Sequence, residues 1–147
     1  MSFQHILVPI DGSTTSYAAV SKAAELAKAF DSKVTAICVL SLDPFFGVEF
    51  INTQDMLETA VKQAHEEVAR ILTEAKQKFA EYGLVVDTKV IEGNEINKAI
   101  VEAAKELQTD LVVIGSHGRK GLKKFVLGSV AQSILGEISV PVLVVRE

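Results

Sequence analysis

A single cysteine, Cys38, stands among the 147 residues, so no disulfide can form within the chain. It lies in the apolar run from Val34 to Leu40, where a buried core thiol is expected rather than a reactive one. No apolar stretch approaches the roughly 20 residues that a membrane helix requires. The start, Met1-Ser-Phe-Gln-His5, lacks the basic residues and apolar run of a signal peptide. These absences predict a cytoplasmic protein with no membrane partner. Basic excess is missing as well: the net charge is −4 and the pI about 5.4, which argues against a general nucleic-acid binder. The three histidines, His5, His65 and His117, are scattered with no second ligand at metal spacing, so no protein-built metal site is expected. Nor is there an internal repeat or a low-complexity linker. With 48% hydrophobic and 23% charged residues, the composition is that of a folded globular chain, and the length fits one domain, residues 1–147.

What is present is an alternation of strand and helix patterns. His5-Ile-Leu-Val-Pro-Ile10 is an apolar run that ends in the turn signal Asp11-Gly12-Ser13. A helix is predicted over 14–30, with Ala19, Ala23, Leu26 and Phe30 at helical spacing. Lys33 to Leu40 is rich in β-branched residues and reads as a second strand. Residues 42–52, with Phe45, Phe46 and Phe50, read as an irregular loop. From Thr53 to Tyr82, Leu57, Val61, Ala64, Val68, Leu72, Ala75 and Phe79 recur at steps of three or four, the clearest amphipathic helix in the chain. Gly83 ends it. Leu84 to Ile91 reads as a third strand, more alternating and so nearer a sheet edge. Helix 94–107, strand 110–115, helix 127–137 and strand 140–145 complete the order. Strands apolar on both sides, alternating with helices, demand a parallel sheet covered on both faces, an α/β fold.

In an open parallel sheet, ligands bind outside the carboxyl ends of strands where strand order reverses. Two predicted strand ends carry special chemistry. Asp11 follows the first strand, and a carboxylate that accepts two hydrogen bonds suits the hydroxyls of a ribose. Its position equally suits a cap for the helix at 14–30, although Ser13 and Thr14 can also cap that helix. Position alone leaves Asp11 open. At the other strand end stand Gly115-Ser-His-Gly118 and, nine residues later, Gly128-Ser129 ahead of a helix with Val130, Ile134 and Ile138 at helical spacing. Such glycines shape turns, and a Gly-x-x-Gly pair alone is a weak signal. Here they gather near a helix N-terminus, whose unpaired N–H groups and partial positive charge favour an anion. His117, Arg119, Lys120, Lys123 and Lys124 form a basic island between them.

The spacing Gly115-x2-Gly118-x9-Gly128-Ser129 resembles the nucleotide-binding signature of the universal stress protein family. His5 to Ser13, Asp110 to Ser116 and Ser139 to Val145 resemble that family too, so the likeness spans essentially the whole chain. It implies an open five-stranded parallel sheet in the order 3-2-1-4-5, adenine nucleotide alpha hydrolase-like and Rossmann-like, and an ATP-binding subfamily. By that pattern Asp11 and Gly115 hold the ribose, and Gly118, Gly128, Ser129 and Val130 hold the phosphates. Pro9 and the backbone near Val39 frame the adenine. The likeness also implies a homodimer paired through strand five, Val140 to Val145. Magnesium can arrive with the phosphates, though nothing in the sequence requires it.

Two classes of function follow. One is a binding module, an adenine-nucleotide-responsive dimer for ATP, ADP or AMP that acts in stress adaptation. The other is an enzyme, a slow ATPase or phosphotransfer protein using the same crevice. The chain has no Gly-x4-Gly-Lys-Ser/Thr loop and no evident acid–base pair, which favours the module and predicts no catalytic residue.

Overall fold

The structure, a computed structural model, describes residues 2–40, 54–117 and 128–146. Strand and helix alternate as β1 (His5–Pro9), α1 (Thr14–Phe30), β2 (Lys33–Leu40), α2 (Gln54–Ala80), β3 (Asp87–Glu92), α3 (Ile96–Glu106), β4 (Leu111–Gly115), α4 (Ser129–Glu137) and β5 (Val142–Val145). The strands form one sheet in the order β3-β2-β1-β4-β5, and each neighbouring pair is parallel. The expected fold class and strand order are therefore both observed. The loop at 42–52 lies outside the described residues.

Side chains alternate across the sheet, as the pleat requires. Ile6, Val8, Ile10, Val34, Ala36, Cys38, Leu40, Leu111 and Val113 pack with α1 and α2. Leu7, Ile37, Val112 and Ile114 pack on the other face with α3 and α4. Cys38 is buried, as its surroundings predict. Helix α2 buries Val68, Ile71, Leu72, Ala75 and Phe79, whereas Leu57, at the far end of the same stripe, is exposed.

The largest boundary difference lies at β3. The apolar run Leu84-Val-Val86 belongs to the connection that follows α2 rather than to the strand. Gly83 takes a left-handed φ of 78°, and the N–H of Leu84 reaches back to the Phe79 carbonyl at 3.1 Å. This is the glycine-terminated helix end that satisfies orphan carbonyls. Leu84 packs on the core, Val86 is buried and Val85 is 95% exposed. Pairing with β2 starts only at Thr35 opposite Asp87. As its alternation predicted, β3 is an edge strand.

The amino edge of the sheet is tied by polar groups. Asp110 accepts the N–H of Gln4 at 2.8 Å and of His5 at 2.9 Å. Burial pushes its pKa up, but these amide bonds prevail and hold it below the usual carboxylate value. The His5 ring lies 3.0 Å from the Leu107 carbonyl through Nδ1 and 2.7 Å from Thr35 Oγ1 through Nε2. A carbonyl only accepts, so Nδ1 carries the proton and the Thr35 hydroxyl donates to Nε2. Burial lowers the pKa of His5 and the nearby Lys33 adds to this, against the opposing pull of the Leu107 carbonyl. Between α1 and α2, Tyr17 donates to Glu74 at 2.7 Å; burial and this bond push its pKa up to about 12.

Two outcomes are expected. Phe79→Ala empties a fully buried site and should lower unfolding free energy by about 3–5 kcal/mol, read from denaturant midpoints at unchanged slope. The folded pKa of His5 lies below its unfolded value of 6.5, so proton uptake favours the unfolded chain. Its contribution is full above that value and shrinks as pH falls below it. Thermal midpoints measured from about pH 7.5 down to about pH 5.5 should fall more steeply for the native chain than for His5→Gln; parallel curves would refute the assignment.

Candidate functional site

Because all five strands run in one direction, their carboxyl ends share one edge of the sheet, and strand order reverses there between β1 and β4. The ladder between these two strands pairs Ile6 with Leu111 and Leu7 with Val112, then stops, although β1 runs on to Pro9 and β4 to Gly115. Proline supplies the reason. Alternate residues of a strand direct their backbone groups to opposite neighbours. The N–H of Ile10 donates to Ile37 of β2 at 2.8 Å, so the nitrogen of Pro9 faces β4 and has no hydrogen to give. Pairing between the two central strands ends there, at the edge where open parallel sheets keep their ligand crevice.

On its β1 side, Asp11 Oδ1 accepts the N–H of Ser13 at 2.9 Å across Gly12, whose φ is 84°. Ser13 is the N-cap of α1: its Oγ accepts the N–H of Ser16 at 3.1 Å, and Ser16 Oγ returns a bond to the Ser13 carbonyl at 2.8 Å. The helix is therefore capped without Asp11. The half-buried Asp11 braces the turn at the mouth of the crevice. Val39, the next-to-last residue of β2, is half-buried opposite Ile91 and packs with the cluster beneath α3 and α4.

On the β4 side the glycines have a packing cause. A Cβ on Gly115 would stand 2.9 Å from the backbone carbonyl carbon and the Cγ2 of Thr15. On Gly128 it would stand 3.0 Å from His117 Cα and the Ser116 carbonyl oxygen. Both positions let chain segments touch one another, so they do not in themselves mark space kept for phosphate. The anion chemistry rests instead on α4. Gly128 caps it with φ −65° and ψ 158° and offers no side-chain bond, and the first turn holds no acidic residue. The leading amides of Ser129 and Val130 thus start a helix whose positive end its own capping residue leaves unneutralised. Ser129 is exposed and Val130 half-buried. Gly118 and positions 119–124 of the basic island lie outside the described residues.

Polar links join the two sides. Thr15 Oγ1 lies 3.1 Å from His117 Nε2, and Ser116 Oγ lies 3.2 Å from His117 Nδ1. The N–H of Ser116 donates to the Val145 carbonyl of β5 at 2.8 Å, and the Ser116 carbonyl accepts from Gly128. Thr15 and Ser116, both buried, were not singled out from sequence. The run Ser13-Thr-Thr-Ser16 was the available signal for Thr15, since a helix needs one capping hydroxyl and this one offers four. Among the described residues no three His, Cys, Asp or Glu side chains group as metal ligands, and no helix is long and apolar enough to cross a membrane. A cavity of about 430 Å³ lies elsewhere, between β3 and α3. Its lining by Glu92, Glu95, Glu102 and Glu106, against Lys89 and Lys98, suits an anion poorly.

Known proteins share this fold. The family model described as "Universal stress protein family" matches residues 2–146. The universal stress protein MJ0531 of Methanocaldococcus jannaschii is 34% identical over 99% of this chain and 83% of its own length. Among solved structures, the hypothetical protein MJ0577 superposes with a TM-score of 0.81 at 25% identity, over 100% of this chain and 98% of that one. A universal stress protein solved in complex with cAMP gives 0.74 at 25% identity, over 99% of both chains. A signature glycine set, a parallel sheet parted at Pro9 and a near full-length match converge, and the chain belongs to the universal stress protein family.

Proposed function

We propose that the chain binds ATP, or ADP or AMP, in the crevice between β1 and β4, and that it acts as a nucleotide-responsive homodimer in cytoplasmic stress adaptation. The observation that carries this reading is the α4 N-terminus without a side-chain cap or first-turn acid, joined through Ser116, His117 and Thr15 to the Asp11 turn. An anionic tail fits the first and a sugar hydroxyl pair fits the second. A family relative crystallised with cAMP supports the same ligand class. In this reading Asp11 takes the ribose hydroxyls and Gly115 contributes main chain beside them. Gly118, Ser129 and Val130 present amides and a hydroxyl to the phosphates, Gly128, whose own N–H is bonded to the Ser116 carbonyl, contributes side-chain-free main chain beside them, and Pro9 and Val39 border the adenine. Magnesium, if it accompanies the phosphates, is held by them. Binding without turnover is the proposed activity, because the sequence carries no loop of the Gly-x4-Gly-Lys-Ser/Thr kind.

Dimerisation is assigned to β5. The carbonyls of Pro141 and Val145 accept from Val112 of β4 and from Ser116 just beyond it, so by alternation the backbone groups of Val142 and Val144 face outward. An edge of this kind invites a second strand, and Leu143 beside it is 39% exposed.

Calorimetry with ATP, ADP, AMP and cAMP, with and without magnesium, should show saturable binding, weakened at least about tenfold in Asp11→Ala, the scale of bonds to a charged acceptor. Absence of heat for every nucleotide would end the reading. Sedimentation at micromolar concentration should show a dimer, and Val144→Pro, which deletes an outward N–H but no bond to β4, should yield a folded monomer. A native chain that sediments as a monomer would remove the dimer.

A further inference from the structure

His117 meets a hydroxyl at each ring nitrogen, Thr15 at Nε2 and Ser116 at Nδ1. A hydroxyl both donates and accepts, so the two bonds are satisfied in either neutral tautomer. Thr15 is fully buried on the first turn of α1, with its backbone against Gly115, and so is a fixed post. The other end of His117 is equally confined. Its Cα stands 3.0 Å from where a Cβ on Gly128 would be, and the Gly128 N–H is bonded to the preceding carbonyl of Ser116. Ser129 and Val130 follow Gly128 directly. A continuous path therefore runs from the Thr15 hydroxyl through the imidazole and its own backbone to the amides that open α4.

We propose that His117 is a positioning residue. Its ring pins the end of β4 to Thr15 and so holds Gly128 and the first-turn amides of α4 in register for the phosphates. The pin rests on the nucleotide reading above for its purpose, but its mechanics can be measured in the ligand-free chain. In this role the ring orders the cradle in advance and need not touch the ligand, which lowers the ordering cost of binding.

Three variants test it. Thr15→Val keeps the branched shape against Gly115 and removes only the hydroxyl; His117→Ala removes the ring; His117→Gln restores a polar atom near the position of Nε2. Without ligand, hydrogen exchange at the Gly128 amide should quicken at least about fivefold in Thr15→Val and His117→Ala, and return toward native in His117→Gln. Titration should show ATP weakened about 3- to 10-fold in the first two, the scale of one hydrogen bond, with adenosine unchanged. The double variant should be no weaker than His117→Ala alone, because both changes cut one link. Native-like Gly128 exchange in both Thr15→Val and His117→Ala overturns the pin, as does an equal loss for adenosine and ATP. If His117→Ala does not fold, Thr15→Val and His117→Gln decide the matter. A native chain that binds no ATP removes the nucleotide reading, while the exchange result still judges the pin.

Discussion

The crevice depends on a missing hydrogen. In the middle of a parallel sheet each strand normally bonds both neighbours along its length, and such a sheet leaves no room at its centre. Pro9 withdraws one donor on the side facing β4, and the ladder ends at Leu7 and Val112. Because the reversal of strand order falls at this same boundary, the helices that follow β1 and β4 leave on opposite faces, α1 on one and α4 on the other. The gap thus lies between two helix N-termini. Capping then divides their labour. Ser13 satisfies the start of α1 from within, while Gly128 offers the start of α4 no side-chain cap.

A sheet parted at one edge must be held at the other. Asp110 binds two successive amides at the start of β1, and His5 joins β1 to Thr35 of β2 and to the end of α3. All but the exposed bond to Gln4 are partly sheltered from water, where each counts for more than on the surface. The apolar layers add the bulk of the stability. Residues of β1, β2 and β4 lie between two sets of helices, so nearly every side chain of these strands leaves water.

Much of this was legible in the sequence because local and global signals agree. Helix α1 runs between a serine that caps it and Asp31 in the left-handed conformation, and its predicted bounds match those observed. Strand β2 is, after Lys33, an unbroken run of β-branched and apolar residues, and its expected bounds match those observed. Leu84 to Val86 misled because an apolar triplet looks alike whether it joins a ladder or folds back over a helix end; the bond to Phe79 decides, and composition does not encode it. The glycines stand out in the sequence, but the packing that requires Gly115 and Gly128 does not. The neighbours that forbid a Cβ at Gly115 lie on Thr15, a hundred positions earlier, and only the fold brings them together. The same distance concealed the bond between Thr15 and His117.

The common direction of the strands has a practical side. Phe3 packs edge-on against Phe30 and feeds β1 from the amino edge, far along the strand axis from the crevice. The last strand runs the same way and finishes at the far edge: Val145 ends beside Ser116, at the rim where β4 ends. A fluorophore or affinity handle grafted ahead of Phe3 would therefore be a bystander, whereas the same group grafted beyond Val145 would hang over the opening and report on, or obstruct, whatever enters it.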